Sequence, residues 1–483
     1  MKVNLNKTRR VAMLLGLIMV LGVLLAACVN TEDVPEILDQ SNLGGESSVY
    51  VETSEDDIST PEGYTEAPVV SNVVNIEPTK VAVYGTCEEN ATIRVSGGIE
   101  DSETLAHGTY YIIEVDIWDR DTLLRVTAQV EGKEESLERE IIAHKDATAD
   151  TLLDGNSVSV GINSRLFFDK MVADIVGDNL YTASQLNDIR AYVTDTVTSY
   201  YNDRAGGQNV ELIYLVVPNV TSVEDGILPE DIVGATNTVI YEQIINTLNQ
   251  TRATVIDLKP VFEATMQDAA VMEKYGSLYR ETDSSLSDYG AYVAYRELMN
   301  HIATRFPNAA PRAEDEFEWT STEIKGGNLV NYRGLDGSII TENTVIGTPK
   351  FPLNVGLGSS SSPKISELQK FVDKAENDYN YFTAFDSNDN IKGIAERWLI
   401  DASDRTDVTD LPSALIYRDY SSLSFTDILA ERFSKCMLGK NGDLNINLST
   451  APQYANEGDK VVDYIIVIVS EENLDNAFGL ALS

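Results

Sequence analysis

The feature that most constrains the fold of this chain is a set of three short, almost entirely apolar runs at residues 212–218, 255–258 and 414–416. Stretches with a helical period, such as 290–305, alternate with these runs. Continuous apolar runs of this length are typical of central strands that are buried on both faces. Their alternation with helices predicts, for residues 151–483, a mainly parallel sheet covered by helices on both sides. A ligand site would lie at the carboxyl ends of its strands.

The amino terminus has the three-part plan of a signal peptide. Four positive charges lie within residues 1–10, an apolar run covers residues 11–25, and Leu-Ala-Ala-Cys ends at Cys28. The apolar run is shorter than the roughly 20 residues that a spanning helix needs. Leu-Ala-Ala-Cys resembles the bacterial lipobox, which implies removal of residues 1–27 and a lipid on Cys28. We expect a lipoprotein anchored to the outer face of the bacterial cell membrane; an ordinary secretory leader is the alternative.

The segment that would follow this cysteine, residues 28–67, is rich in acidic and hydroxyl side chains and lacks a sustained period. It is predicted to be a flexible, self-repelling tether. The whole chain has 36 Lys and Arg against 77 Asp and Glu, for a formal net charge of −41. Because such a surface repels phosphate backbones, nucleic acid is excluded as a partner.

Residues 68–146 carry short alternating apolar runs that are separated by glycine-containing turns. This pattern predicts a small antiparallel β-sandwich. The segments 84–86 and 91–95 resemble bacterial immunoglobulin-like repeats, which implies a spacer or an adhesion module. His107 stands beside Gly108 in a predicted turn, where we expect it to be solvated rather than a metal ligand.

The segment TDSSLSDYGAY at residues 282–292 resembles the motif that names the DHHW proteins, TDHHWT followed by two residues and GAY. These proteins are relatives of the alginate O-acetylation proteins within the SGNH hydrolase group. The resemblance implies a three-layer, flavodoxin-like α/β fold and a role in O-acetylation of a cell-envelope polysaccharide. Further similar blocks follow the family's order along the chain, at 166–168, 217–219, 228–230, 326–329, 412–419 and 425–433.

The same resemblance places the hydrolase triad on positions that this chain has mostly lost. In the family, the aspartate of the motif, the histidine two residues later and the serine of an Arg-Asp-Ser-Phe segment act together. Here the aspartate is Asp283, but Ser285 stands in the histidine position and Tyr420 in the serine position. Loss of triad members typically costs on the order of 10⁶ in rate. The resemblance therefore implies a degenerate site with no assigned catalytic residue.

Substitutes for the missing groups are few. The chain has three histidines; His107 and His144 precede the large domain, and His301 lies about 16 Å along a helix from Gly290. Ser421 is the fallback nucleophile, although a shift of one residue on a tight turn re-aims the hydroxyl. Asp283 can instead cap the helix that begins near residue 288 or be a residue inherited with the fold, and Tyr420 can either stack on a sugar ring or pack at a strand end.

No phosphate-binding loop or Cys/His cluster occurs, and the acidic stretch 386–390 lacks the glycine of a calcium loop, so neither a cofactor nor a metal is predicted. We predict a surface lipoprotein whose degenerate domain binds or scaffolds an envelope glycan or its acetylation machinery. One alternative is an active O-acetyltransferase or acetylesterase with a rearranged site that uses Asp283 and a serine near 421. Another is an adhesive protein in which the immunoglobulin-like module binds the partner.

Overall fold

The computed structural model describes most of the chain beyond residue 59. The described residues are 60–146, 158–194, 210–224, 226–228, 232, 239–351, 410–434, 444 and 462–478, with the backbone alone of 379–385, 391–399 and 435–439. Cys28, the predicted leader, nearly all of the predicted tether and the stretch 386–390 lie outside these residues.

Seven antiparallel strands come first. They form a three-stranded sheet, β1-β2-β5, and a four-stranded sheet, β4-β3-β6-β7. Six of them coincide with the predicted apolar runs, whereas β4 is a polar strand without that signal. The immunoglobulin-like character of this region stays a prediction. The strands are β1 Val69–Glu77, β2 Lys80–Thr86, β3 Thr92–Ser96, β4 Ser102–Leu105, β5 Tyr110–Asp116, β6 Thr122–Gln129 and β7 Arg139–Ala143.

Strands and helices then alternate, as the period of the sequence predicts. In chain order, the elements are β8 Val158–Val160, β9 Leu166–Phe168, α1 Asp169–Val176, α2 Ala183–Ala191, β10 Glu211–Val217, α3 Ile240–Leu248, β11 Thr254–Asp257, α4 Lys259–Met266, α5 Ala269–Tyr275, α6 Asp288–Ala303, β12 Phe317–Lys325, α7 Asn328–Tyr332, β13 Thr341–Pro349, β14 Tyr379–Phe385, β15 Ile391–Leu399, β16 Ser413–Arg418, α8 Thr426–Ala430, β17 Lys435–Gly439, β18 Tyr464–Ser470 and α9 Leu474–Phe478.

Seven of these strands form one sheet in the order β11-β10-β18-β16-β17-β15-β14. Strands β11 to β17 in this order run parallel, and β15 and β14 are antiparallel to their neighbours. Ile213 and Leu215 of β10 join one buried core, and Leu212 and Tyr214 join a second core on the opposite face. Helices pack into both cores, since α4 and α6 contribute to the first and α3 and α9 to the second. The predicted mixed α/β domain is confirmed.

The predicted position of one strand in the sheet was wrong. The run 255–258 was predicted to be a central strand, but β11 is the edge of the sheet and its residues are only half-buried. The centre is formed by β10, β16 and β18, and β18 is buried along its whole length. An apolar run indicates that a strand is buried. The order of strands in the sheet, however, depends on pairing between segments far apart in sequence.

The small β region packs against the α/β domain. Ala82 and Tyr84 of β2 share a hydrophobic core with Phe167 of β9. His107 Nε2 lies 2.5 Å from Glu281 Oε2, on the loop that carries Asp283, and its side chain is only 32% exposed. The expectation of a solvated His107 was therefore wrong, because the turn at residue 107 lies against this loop.

Candidate functional site

A narrow pocket lies at the carboxyl ends of the central strands, where the topology predicts a ligand site. It brings together Asp283 and Ser284 from the loop before α6, Tyr420 and Ser421 after β16, and Glu472 after β18. Tyr420, Ser421 and Glu472 converge because β16 and β18 run parallel, and the loop before α6 brings Asp283 and Ser284 to the same end of the sheet. The remaining lining is mostly apolar and comprises Leu166, Phe167, Met171, Val217, Pro218, Asn219, Val220, Tyr279, Arg280, Leu286, Leu329 and Ser470.

Asp283 is held by backbone donors. Its Oδ1 accepts a hydrogen bond from the N–H of Ser285 at 3.0 Å, and its Oδ2 accepts the N–H of Asn328 at 2.9 Å. Asn328 is the first residue of α7, so Asp283 satisfies an otherwise unpaired donor at that helix start. The helix at residue 288 was predicted to be the one it caps; that was wrong, because Ser287 Oγ accepts the N–H of Gly290 there at 3.1 Å.

The loop around Asp283 is fixed by a buried carboxylate and a glycine. Glu342, 3% exposed, accepts the N–H groups of Glu281 and Thr282 at 2.7 Å each and also pairs with Arg280. A Cβ on Gly327 would lie 2.5 Å from Asp283 Oδ2, so only glycine lets the two segments approach this closely. The position of Asp283 is therefore fixed by Glu342, which holds the preceding residues, and by Gly327, which packs against its side chain.

Ser421, the fallback nucleophile, is tied to a buried aspartate. Its backbone N–H and its Oγ both donate to Asp419 Oδ1, at 3.0 and 2.5 Å. Asp419 Oδ2 accepts the N–H and Oγ of Ser470, each at 2.7 Å, and Nδ2 of Asn473 at 3.1 Å. Five donors thus surround one carboxylate that has no exposed surface. Asp419 therefore links the turn after β16 to the end of β18 by hydrogen bonds, and Ser421 contributes two of these bonds.

Tyr420, which the motif resemblance assigns to the serine position, is half-buried at the pocket. Its Oη is shielded from solvent and has no hydrogen-bond partner among the described residues. A buried polar atom without a partner is costly, and such atoms often mark a place where a ligand or water binds. Tyr420 therefore contributes an aromatic ring and an unsatisfied hydroxyl to the pocket.

Two neighbouring glutamates complete this end of the sheet. Burial raises the pKa of Glu471 to about 7, although its carboxylate accepts the N–H of Asn219 at 2.8 Å. Burial, reinforced by the negative charge of Asp419, raises the pKa of Glu472 to about 8. Glu472 Oε2 is shielded from solvent and lacks a hydrogen-bond partner within the described part of the chain. Glu472 lines the pocket, and its raised pKa favours the protonated carboxyl near neutral pH.

No imidazole faces the pocket. Ser285, in the histidine position, is half-buried and does not line it. His301 Nε2 lies 2.7 Å from Glu211 Oε1, at the amino end of β10, whereas the pocket lies at the carboxyl end of that strand. His144 pairs with Asp121 at the surface. The three histidines of the chain therefore lie away from the pocket, His107 being paired with Glu281.

The described residues contain neither a helix long and apolar enough to cross a bilayer nor a cluster of three acidic, histidine or cysteine side chains suited to a metal ion.

Comparison with known families bears on the central part of the chain. Residues 189–343 match a family model described as the SGNH hydrolase-like domain of the acetyltransferase AlgX. The chain carries an SGNH hydrolase-like domain. The predicted resemblance is confirmed over this segment, which contains Asp283, Ser285 and the whole loop that Glu342 supports. The sequence has no match among curated proteins.

Several solved structures are similar to the SGNH hydrolase-like domain at low identity. A DHHW family protein from Eubacterium siraeum is 12% identical, over 74% of this chain and 96% of that chain, with a TM-score of 0.38. PatB1 from Bacillus cereus is 15% identical over 66% of this chain and 97% of that chain, with a TM-score of 0.41. The O-acetyltransferase domain of Pseudomonas putida AlgJ is 12% identical over 66% and 94%, with a TM-score of 0.38.

The residues that sequence reasoning missed are Glu471 and Glu472. Both follow the run 463–469, separated from it by Ser470 alone. The rule that predicts a site at the carboxyl ends of buried strands was applied to the turn after β16 and could equally have been applied to the turn after β18. The signal was present, but no family motif drew attention to it.

Proposed function

We propose that this chain is a lipid-anchored protein of the bacterial cell surface whose SGNH hydrolase-like domain binds a sugar unit of a cell-envelope polysaccharide without ester chemistry. The observation that carries the proposal is Tyr420, an aromatic residue with an unsatisfied hydroxyl in the position of the nucleophile. The match to an acetyltransferase domain model supports a role in polysaccharide O-acetylation. The lipobox ending at Cys28 supports the anchor.

The hydrogen bonds that Ser421, Asp419 and Asp283 already make disfavour ester chemistry. A serine nucleophile needs a base, and that base needs an orienting carboxylate. Ser421 Oγ donates to Asp419, whose oxygens already accept four other hydrogen bonds. Asp283 accepts two backbone N–H groups and faces no histidine among the described residues. Both carboxylates therefore serve the structure of the loops.

Sugar binding is favoured by the character of the lining. Small-molecule sites are mostly apolar with a few convergent polar groups, and the apolar walls here include Leu166, Phe167 and Leu329. The ring of Tyr420 offers a face on which a sugar can pack. The pocket encloses only about 20 Å³, so a sugar would pack across its mouth rather than enter it.

The rival function is an active O-acetyltransferase or acetylesterase with a rearranged site. It is supported by one observation, since Ser421 and Asp283 line the same pocket. In that case Ser421 would have to leave Asp419 before it could attack an acyl group.

Two measurements on the purified chain separate these functions. Titration calorimetry with envelope oligosaccharides should show binding, and hydrolysis of p-nitrophenyl acetate should remain at the rate of buffer. The double variant Tyr420→Ser with Ser285→His restores the two lost triad positions and should gain turnover, whereas Tyr420→Ser alone should not. Turnover by the natural chain that disappears in Asp283→Ala would contradict the proposal and support the rival.

A further inference from the structure

We infer that the small β region, strands β1 to β7, positions one wall of the pocket rather than serving as a spacer. The inference goes beyond the proposed function, because it concerns how the pocket is held in shape and not what binds there. It rests on two contacts that this region makes with the α/β domain. One contact holds the loop that carries Asp283, and the other holds the helix whose start Asp283 caps.

The first contact joins His107, in the turn before β5, to Glu281. The distance from His107 Nε2 to Glu281 Oε2 is 2.5 Å, and the two side chains are only 32% and 24% exposed. Glu281 lies two residues before Asp283 in the same loop. A hydrogen bond to a charged group that is partly shielded from water is stronger than one at the surface. His107 therefore fixes the loop on the side that faces the small β region.

The second contact joins Glu114 of β5 to Arg333, which directly follows the last residue of α7. Their side chains are 22% and 12% exposed. The other oxygen of Glu114 lies 3.1 Å from Lys80 Nζ on the neighbouring strand β2, so the carboxylate is held from both sides. A helix of five residues is too short to be stable by itself, so contacts from elsewhere must hold it. Asp283 holds the first residue of α7, and Glu114 holds the opposite end.

The loop and α7 meet through a group of hydrogen bonds between these two contacts. Asp283 Oδ2 accepts the N–H of Asn328 at 2.9 Å, and Asn328 Oδ1 accepts the N–H of Ser284 at 3.0 Å. The side-chain amide of Asn328 also donates to Ser284 Oγ at 2.9 Å. Asp283 and Ser284 from the loop and Leu329 from α7 line the pocket. The small β region therefore holds both of the segments that form this wall.

The small β region is itself firmly joined to the α/β domain. Ser164 Oγ lies 3.1 Å from the backbone nitrogen and 3.3 Å from the backbone oxygen of Ile112 on β5. Asn163 and Ser164 have φ angles of 57° and 58°, in the left-handed region, a conformation that persists only where the surroundings hold it. Ile112 and Phe167 lie in one continuous hydrophobic core. Regions that share such a core do not move independently, so the two contacts act from a fixed support.

Hydrogen exchange of the full chain, followed by mass spectrometry, tests the first contact. His107→Ala should accelerate exchange about tenfold in peptides that cover residues 283–285 and 328–332, because the loop loses one hydrogen bond to a charged group. Peptides from β18 should exchange at the natural rate. His107→Gln keeps a donor and should restore the natural rates. His144→Ala is the matched control, since His144 pairs with an aspartate inside the small β region at 3.0 Å, and it should change neither peptide.

Arg333→Gln tests the second contact and should accelerate exchange in residues 328–332 to a similar degree. Its control is Arg125→Gln, which breaks an ion pair with Glu140 inside the small β region and should leave that peptide unchanged. Unchanged exchange in His107→Ala or in Arg333→Gln would overturn the inference. An equal acceleration in β18 would also overturn it, because the contacts would then stabilise the whole chain. These rates do not depend on a bound sugar, so a natural chain that binds no oligosaccharide would overturn the proposed function alone.

Discussion

The carboxylate of Asp283 accepts the backbone N–H of Asn328 at 2.9 Å, so the aspartate that the motif resemblance assigns to a triad caps the start of a helix. The bond joins two segments that are 45 residues apart in sequence. It gives the retained aspartate a structural use that does not require a histidine or a serine.

Asp283→Ala should lower the free energy of unfolding by about 1–2 kcal/mol, because it removes the acceptor for the N–H groups of Ser285 and Asn328. Asp283→Asn keeps one acceptor oxygen and should lose less. Urea unfolding followed by circular dichroism measures both variants. An alanine variant as stable as the natural chain, but without an ester turnover that the natural chain possesses, would show that Asp283 is catalytic.

Gly327→Ala should destabilise the chain by about 1–3 kcal/mol, since the added methyl group would overlap Asp283 at 2.5 Å. The backbone at Gly327, with φ of −87°, is open to any residue, so the effect reports the overlap alone. The control is Asn331→Ala, an exposed change on the same short helix, which should stay within about 0.5 kcal/mol of the natural chain. Equal stability of the two variants in thermal unfolding would argue against the close approach.

Stability should fall as the pH rises from about 4.3, the pKa of glutamate in an unfolded chain, towards 8. Burial raises the pKa of Glu471 to about 7 and that of Glu472 to about 8, so the folded chain binds more protons than the unfolded chain in this window. Each group then contributes a slope of up to about 1.4 kcal/mol per pH unit, with unfolding becoming easier as the pH rises.

The variant Glu472→Gln isolates one of these two groups. It should reduce the slope between pH 5 and 8 in urea titrations, and Glu318→Gln, at an exposed position, should leave it as it is. An unchanged slope in Glu472→Gln would mean that Glu472 ionises normally in the folded chain.

Ser421→Ala and Ser422→Ala form a matched pair. Both hydroxyls are buried and both donate to Asp419, Ser421 to its carboxylate and Ser422 to its backbone oxygen at 3.0 Å. Each loss should cost about 1 kcal/mol in urea unfolding, and ester turnover should stay at the rate of buffer throughout. Turnover in the natural chain that is lost only in Ser421→Ala would identify Ser421 as the nucleophile of the rival function.

Cys28→Ala should release the protein from the membrane fraction of the cells that export it, because the thiol is the predicted site of the lipid. Phase partitioning in detergent measures the change, with Cys87→Ala as the control that keeps the lipobox. A Cys28→Ala protein that remains in the detergent phase would contradict the anchor.

The alternation of apolar and helical segments was sufficient to predict the α/β domain, because a strand that is buried on both faces appears in the sequence as a continuous apolar run. The motif at residues 282–292 predicted the SGNH hydrolase-like segment, and the substitutions at Ser285 and Tyr420 were visible in the sequence alone. These inferences depend on residue types and on spacing within short windows, which is the information that a single sequence contains.

Only the tertiary structure decided which groups meet. It placed β11 at the edge of the sheet, assigned Asp283 to the start of α7 rather than α6, and brought Glu472 into the same pocket as Tyr420. It also set the pKa of Glu472, since that value depends on burial and on Asp419, more than 50 residues away in the chain. Strand order, hydrogen-bond partners and the solvation of a carboxylate arise from contacts between distant segments, and no local pattern records them.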